Sequence, residues 1–281
     1  NLLESRPGEP EDVLLITFTR NAASEMKDRI IDHTDYQLSA LRDAPINTFH
    51  GVANQLLSRY GFHVPERLGI DDHYSSSTTI IDDAVVERDR FREFLLDFAD
   101  SHPEYDEFLR VLNDPVSLLG LINQLAAKGI FPMRDGWYRD GEEHLDGDFA
   151  EFKELFEEAN APTEGVHGPN QSDLRSKLSG FGRDSCFLPD APSENELRGD
   201  GKQVNPRFAE EAFEEDREQL KSFIHDVYFG YIEFALSRNF TTFGFLQMFA
   251  YVLLMEDSSL REELEFEYVM IDEFQDTSEV Q

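Results

Sequence analysis

The sequence predicts an α/β fold in which a layer of parallel strands and helices is interrupted by a mainly helical insertion. Three observations predict it. An apolar run at 13–17 (VLLIT) passes into a helical pattern, the order of an α/β layer. A second strand-then-helix pattern follows at 46–60. A long stretch of helical periodicity then separates these from a last apolar strand at 268–271.

Each element has its own signal. Residues 13–17 read as a strand buried on both faces, because no polar residue interrupts the apolar run. The helix over 21–33 sets Ala22, Ala23, Met26 and Ile30 on one face. Ile46–Thr48 follows Pro45 as a short second strand. The helix over 49–60 repeats Phe49, Val52, Ala53, Leu56 and Leu57 at helical intervals, with Gly61 as its stop. Residues 82–100 form an amphipathic helix with Phe91, Phe94, Leu95 and Phe98 on one side. Another helix spans 115–128, with Asp114 as N-cap, Pro115 at the first position and Gly129 as stop. Residues 160–205 are rich in Gly, Pro, Ser, Asn and Asp and read as a long or partly disordered loop. A long helix runs from Pro206 to about Arg238. The segment 242–255 is apolar nearly all round, so that helix is expected to be buried. The domain reading is therefore 1–61 as part of an α/β domain, 62–262 as a helical insertion and 263–281 as the return.

Composition excludes several classes. The 281 residues carry 58 Asp+Glu against 25 Lys+Arg, a formal charge of −33, yet 40% are hydrophobic. That apolar content supports a core, which a disordered acidic tail lacks. A single cysteine, Cys186, excludes a disulfide scaffold. That cysteine and eight scattered histidines show no zinc-ligand spacing, so no metal cluster is expected. No apolar run approaches the roughly 18–20 residues needed to span a bilayer, and residues 1–12 carry no signal-peptide core. A soluble, cytoplasmic protein is the expectation. Of the basic residues 19 are Arg and only six Lys. Acid excess with scarce lysine suggests adaptation to molar salt, where self-repulsion is screened over about 3 Å rather than about 10 Å at 0.1 M. The alternative is an ordinary acidic protein that partners basic surfaces. The chain starts with Asn1 and stops just after a rich motif, which suggests a piece of a longer polypeptide.

That motif is YVMIDEFQDT at 268–277. A strand ending in Asp-Glu places carboxylates at the carboxyl edge, where open α/β sheets bind ligands. Asp272 there can hold a nucleotide's Mg²⁺, Glu273 can orient or deprotonate a water, and the Gln275 amide can donate and accept. A solvated acidic turn is the bland alternative.

DEFQDT after an apolar strand resembles motif II of the UvrD/Rep family of superfamily 1 DNA helicases. ITFTRNAASEMKDRI at 16–30 is similar to that family's motif Ia, and Thr48-Phe49-His50 to the TFH of motif Ib. The three occur in family order, and the helical stretch before motif II matches the family's inserted subdomain. The resemblance implies part of a RecA-like (P-loop NTPase) parallel-sheet domain with subdomain 1B inserted in 1A. It implies ATP and Mg²⁺ as cofactors, with Asp272 holding Mg²⁺, Glu273 as catalytic base and Gln275 coupling the γ-phosphate state to the DNA-binding side. It implies single-stranded DNA and single/double-strand junctions as partners, with Thr17, Phe18, Thr19, Arg20 and His50 along the track. It further implies 3′-to-5′ movement in repair or replication and a second motor domain in the rest of the chain. Phe18 also reads as a core residue, and His50 as a helix-start histidine. Arg20, Lys27 and Arg29 also read as solvated positions. Three positions depart from the family pattern: Arg20-Asn21 replaces Asn-Lys, and Gly51 replaces Ser. The phosphate loop G-x-x-x-x-G-K-[ST] does not occur in these residues, since the only Gly-Lys pair, Gly201-Lys202, precedes Gln203. The chain alone is therefore expected not to hydrolyse ATP. A helicase–nuclease of RecB/AddA type and a non-enzymatic scaffold or acidic mimic are the alternatives.

Overall fold

The computed structural model describes residues 12–34, 41, 44–106, 109, 115–141, 217–264, 266–278 and 280–281. Contacts divide the chain into two compact units. One comprises Asn1–Asp82, Ala126–Gly129 and Ala235–Gln281, the other Asp83–Leu125 and Ile130–Phe234.

The first unit is built on a parallel sheet of three strands in the order β2-β1-β7. β1 is Val13–Thr17, β2 is Ile46–Thr48 and β7 is Tyr268–Ile271. β1 is central because it is the most continuously apolar of the three, and Val13, Ile16 and Thr17 are buried. Its register sets Thr17 beside Thr48, and Ile16 beside Ile271. β2 and β7 are both outer strands of the three, but β2 is largely covered, with Ile46 buried, whereas on β7 Val269 and Met270 are 57% and 38% exposed, where the apolar sequence alone suggests a buried strand. Helix α1 (Arg20–His33) follows β1, and Met26, Ile30 and Ile31 pack with Leu15 around Leu41, Ala44 and Ile46.

Helix α2 (Phe49–Tyr60) follows β2 and buries Phe49, Ala53 and Leu57. It packs against α7 (Phe243–Glu256), which buries seven apolar side chains from Phe245 to Leu253. Burying each large apolar side chain is worth about 1.5–3 kcal/mol, so this helix pair anchors the unit. Two further strands, β3 (Thr79–Ile81) and β6 (Phe240–Thr242), pair in parallel. Asn239 secures them: its carbonyl accepts from Thr79 N, its side-chain oxygen from Thr78, and its amide donates to Ser77 O. It sits at φ 56°, a left-handed conformation that asparagine tolerates better than most residues. The short helices α3 (Val64–Arg67) and α8 (Ser258–Glu263) complete the unit. Residues 62–82 and 235–262 thus group by contact with the sheet, inside the span the sequence assigns to the insertion.

The second unit is mainly helical. α4 (Ala84–Ser101) starts at Asp83, whose carboxylate accepts from Val85 N and Val86 N, an N-cap bond. Phe91, Phe94 and Phe98 recur on its buried face. Phe91 and Phe94 meet Tyr231 at 4.8 and 5.4 Å, and Phe94 meets Phe234 at 5.5 Å. Those partners lie on α6 (Arg217–Ser237), 21 residues or about 32 Å long. Between α4 and α6, the described residues form a 3₁₀ turn (Pro103–Tyr105), α5 (Pro115–Ala127) and a small β4–β5 hairpin (Pro132–Met133, Gly136–Trp137). Gly129, at φ 78°, ends α5 as its sequence position suggests. Asp114, the 160–205 loop and the 206–216 part of the expected long helix lie outside the described residues. No helix among the described residues is long and apolar enough to cross a membrane.

Candidate functional site

Because β2, β1 and β7 are parallel, all three carboxyl ends lie on one edge of the sheet. Strands sit about 4.8 Å apart, so the chain ends after β2 and β7 are separated by only about 10 Å, with that of β1 between them. Every site residue singled out in the sequence leaves this edge.

Motif II extends the sheet by one bond: Asp272 N donates to Ile16 O at 2.9 Å. Glu273 then takes a left-handed conformation (φ 53°, ψ 44°), and a 3₁₀ turn, Phe274–Asp276, follows. For a residue with a Cβ this conformation costs on the order of 1–3 kcal/mol, and such strain concentrates at functional turns. The Gln275 amide donates to the Glu273 carboxylate. Thr277 Oγ1 closes the turn on Phe274 O at 2.8 Å. Asp272, Glu273 and Gln275 are exposed, as is Phe274 at 68%. Two exposed carboxylates on consecutive residues form a hard oxygen donor set, the kind that suits Mg²⁺.

After β1, Thr17 is fully buried and its hydroxyl donates to Thr19 O at 2.9 Å. It fixes the turn and offers nothing to solvent. Thr19 caps α1 by accepting from Ala22 N at 3.1 Å. Phe18 is 39% exposed and meets the buried Phe49 edge-on at 5.5 Å. Arg20, the first residue of α1, is exposed. Arg29 pairs with Glu25 at 2.6 Å on the exposed face of α1, an ordinary surface pair worth little.

After β2, Thr48 caps α2 by accepting from Gly51 N at 3.1 Å. Gly51 has a local reason: a Cβ there would fall 2.1 Å from Asn47 Oδ1, and that oxygen accepts from Thr48 N. His50 is half-buried, and its ring lies 4.0 Å from that of Phe243 at a tilt of 31°. Burial lowers its pKa, so the imidazole is neutral at pH 7 and suited to stacking rather than to pairing with phosphate.

Phe243 is a residue that sequence reasoning missed. It opens α7 just after Thr242, which caps that helix through Phe245 N. The signal was present: Thr-Phe recurs at three strand-to-helix junctions, as Thr17-Phe18, Thr48-Phe49 and Thr242-Phe243. A cleft of about 1260 Å³ also lies in this unit, lined by Leu14, Ile46, Leu56 and Tyr251 among others. None of the eight predicted site residues lines it, so the candidate site is the sheet edge.

An open parallel sheet with carboxylates and half-exposed aromatic rings on its carboxyl edge has the ligand-binding layout of α/β proteins. The chain belongs to the UvrD/REP helicase family: the model of that family's N-terminal domain matches residues 1–281. A stretch of 60 residues is 40% identical to a probable DNA helicase of Mycoplasma pneumoniae (strain ATCC 29342 / M129 / Subtype 1). That stretch is 21% of this chain and spans about a tenth (11%) of the relative.

Proposed function

We propose that the chain forms part of the first motor domain of an ATP-driven DNA translocase. The observation that carries the reading is the convergence of three motif ends on one sheet edge within about 10 Å. In this reading the first unit is the RecA-like part, and the second is the helical subdomain inserted between motifs Ib and II.

The roles follow from the side chains. Asp272 would hold Mg²⁺ through its exposed carboxylate, and the ion would supply charge neutralisation at the phosphoryl group being transferred. Glu273 takes a proton from the attacking water, and the Gln275 amide holds that carboxylate in place. Gln275 also follows Phe274 in the turn that leaves the edge beside β1, so a shift of the turn reaches the DNA side within one strand spacing. On that side Phe18, His50 and Phe243 offer faces or edges for stacking bases, worth about 1–3 kcal/mol per base whatever the sequence. Thr19 and Arg20 stand at the start of α1, where phosphate is favoured. Thr17 contributes by holding the turn.

Grip on the β- and γ-phosphates comes from a phosphate loop, and G-x-x-x-x-G-K-[ST] does not occur in these 281 residues. Hydrolysis is therefore proposed for a polypeptide that joins this chain to such a loop. Polarity is tested by strand displacement from duplexes with a 3′ or a 5′ single-stranded tail, using that polypeptide. The reading expects displacement from the 3′-tailed duplex only. Displacement from the 5′-tailed duplex alone overturns it.

A further inference from the structure

The loop that follows α2 carries two imidazoles and a carboxylate that no motif accounts for. His63 Nδ1 lies 2.8 Å from Glu66 Oε1, and His73 Nδ1 lies 3.3 Å from the same oxygen. The three ligand atoms fall within 4.8 Å of one another, and all three side chains face solvent. We propose that His63, Glu66 and His73 form a binding site for a single transition-metal dication of the Zn²⁺ class.

The chemistry of the donors selects the ion. Two imidazole nitrogens and one carboxylate oxygen suit Zn²⁺, with neighbours such as Ni²⁺ and Cu²⁺ as competitors. Mg²⁺ and Ca²⁺ prefer oxygen-only sets. Three protein ligands leave a fourth position for water. Bonds of about 2.0–2.1 Å in a tetrahedron put ligand atoms about 3.4 Å apart. The two Nδ1···Oε1 separations are already at or within that value. The third pair lies within 4.8 Å and has to close by at most about 1.4 Å, a shift that rotation of exposed side chains can supply.

The backbone holds this triad in place. Tyr74 N donates to Phe62 O at 3.2 Å, which ties the loop's ends and sets His63 and His73 side by side. Ile70 N and Leu68 N both donate to Pro65 O at 3.0 Å, so the intervening turn is fixed as well. Val64, Pro65, Leu68, Ile70 and Tyr74 are buried and anchor the loop from beneath. Phe62 is half-exposed, and its ring packs against both imidazoles, at 4.8 Å from His63 and 4.6 Å from His73. The Phe62 ring thus gives the two imidazoles an apolar neighbour on one side, while the ligand atoms stay open to solvent. The spacing His-x₂-Glu-x₆-His matches no zinc pattern in sequence, because the loop closure brings the third ligand back.

The site is separate from the sheet edge. His50 is the second residue of α2 and His63 lies beyond its far end, and the rise of the helix from His50 to Tyr60 alone is about 15 Å. The proposal therefore does not depend on the helicase reading.

The test uses the untagged 281-residue chain, stripped with chelator and held in 10 mM Mg²⁺ to occupy the many surface carboxylates. Co²⁺ titration followed by visible absorption, and Zn²⁺ displacement of that signal, give stoichiometry and affinity. The expected result is one Co²⁺ per chain with the absorption of a four-coordinate nitrogen–oxygen site, displaced by one Zn²⁺. His73→Ala and Glu66→Gln should each weaken binding at least tenfold, and His63→Ala/His73→Ala should abolish it. Circular dichroism confirms that these surface variants fold. No one-to-one binding in the wild-type chain overturns the proposal. So does binding that persists unchanged in the double variant, which would place the ion on carboxylates elsewhere.

Discussion

Phe18, His50 and Phe243 show how single residues divide labour at the sheet edge. Phe18 is exposed enough to meet a base while its edge rests on Phe49. His50 and Phe243 stack on each other at 4.0 Å and support one another's orientation. Phe243→Ala and Phe18→Ala should each weaken binding of a fluorescent oligo(dT) by roughly 5–150-fold, the equivalent of one stacked base. Anisotropy titration reads this directly, and an unchanged affinity in both variants would remove the aromatic track from the account. Motif residues were legible because short strings at strand-to-helix junctions fix both identity and place. Phe243 shares the Thr-Phe string of those junctions, but its pairing with His50 was not legible, because the two are distant in sequence and only the packing of α7 on α2 joins them. Thr17 was legible as a motif position, but its burial was not: the turn folds its hydroxyl back onto Thr19.

At the scale of elements, the helices were legible through periodicity and their stops. Gly61 follows α2, Gly129 follows α5, and α4 buries Phe91, Phe94 and Phe98 from the face the spacing marks. Strands β3 and β6 were not legible. Each has three residues, and their partners lie far apart in the chain, so no local pattern marks them. The β4–β5 hairpin was missed for its length, yet it carries a testable electrostatic device in the second unit. His225 Nδ1 donates to Asp226 at 2.8 Å, and its Nε2 faces the carbonyls of Met133 and Gly136 at 2.8 and 2.9 Å. Tyr105 OH donates to the other Asp226 oxygen at 2.5 Å.

With acceptors at both nitrogens, the ring favours the imidazolium form. Burial pulls the His225 pKa down, but the bonds to Asp226 and the two carbonyls outweigh it, and the net shift is upward from 6.5. Burial likewise pushes Asp226 up, but the bonds from His225 and Tyr105 bring it below 3.8. A raised histidine stabilises fully below its unfolded value of about 6.5 and loses that contribution as pH rises through the folded value. A depressed aspartate stabilises above its unfolded value of about 3.9 and loses that contribution as pH falls. Both contributions are thus complete between about pH 4 and 6.5. Denaturant midpoints measured from pH 5.5 to 8.5 should show an alkaline decline in the wild type that is smaller in His225→Gln. Equal declines in the two proteins would contradict the assignment.

For the whole molecule, charge is the dominant physical fact. At −33 the chain repels itself and repels nucleic acid, so its stability should depend on screening. We propose a salt-adapted protein whose melting temperature rises between 0.1 M and 2 M KCl. An unchanged melting temperature would contradict that. High salt also weakens counterion release, so DNA affinity should rest on stacking and show a shallow salt slope. Charge was legible from composition alone. The division into two units was legible only in outline, because β3, β6 and α7 join the sheet unit through contacts distant in sequence.

The acidic turn after β7 is proposed as the chemical half of a DNA-dependent motor. The direct measurement is ATP hydrolysis with and without single-stranded DNA in 2 M KCl. It uses a polypeptide that joins this chain to a phosphate loop, as wild type and as Glu273→Gln. DNA-stimulated hydrolysis is expected in the wild type, with a fall of about 10²–10⁴-fold in the variant and DNA binding retained. Hydrolysis at the wild-type rate in Glu273→Gln, or a folded wild-type protein that DNA does not stimulate, would overturn the assignment of Glu273 and of the turn.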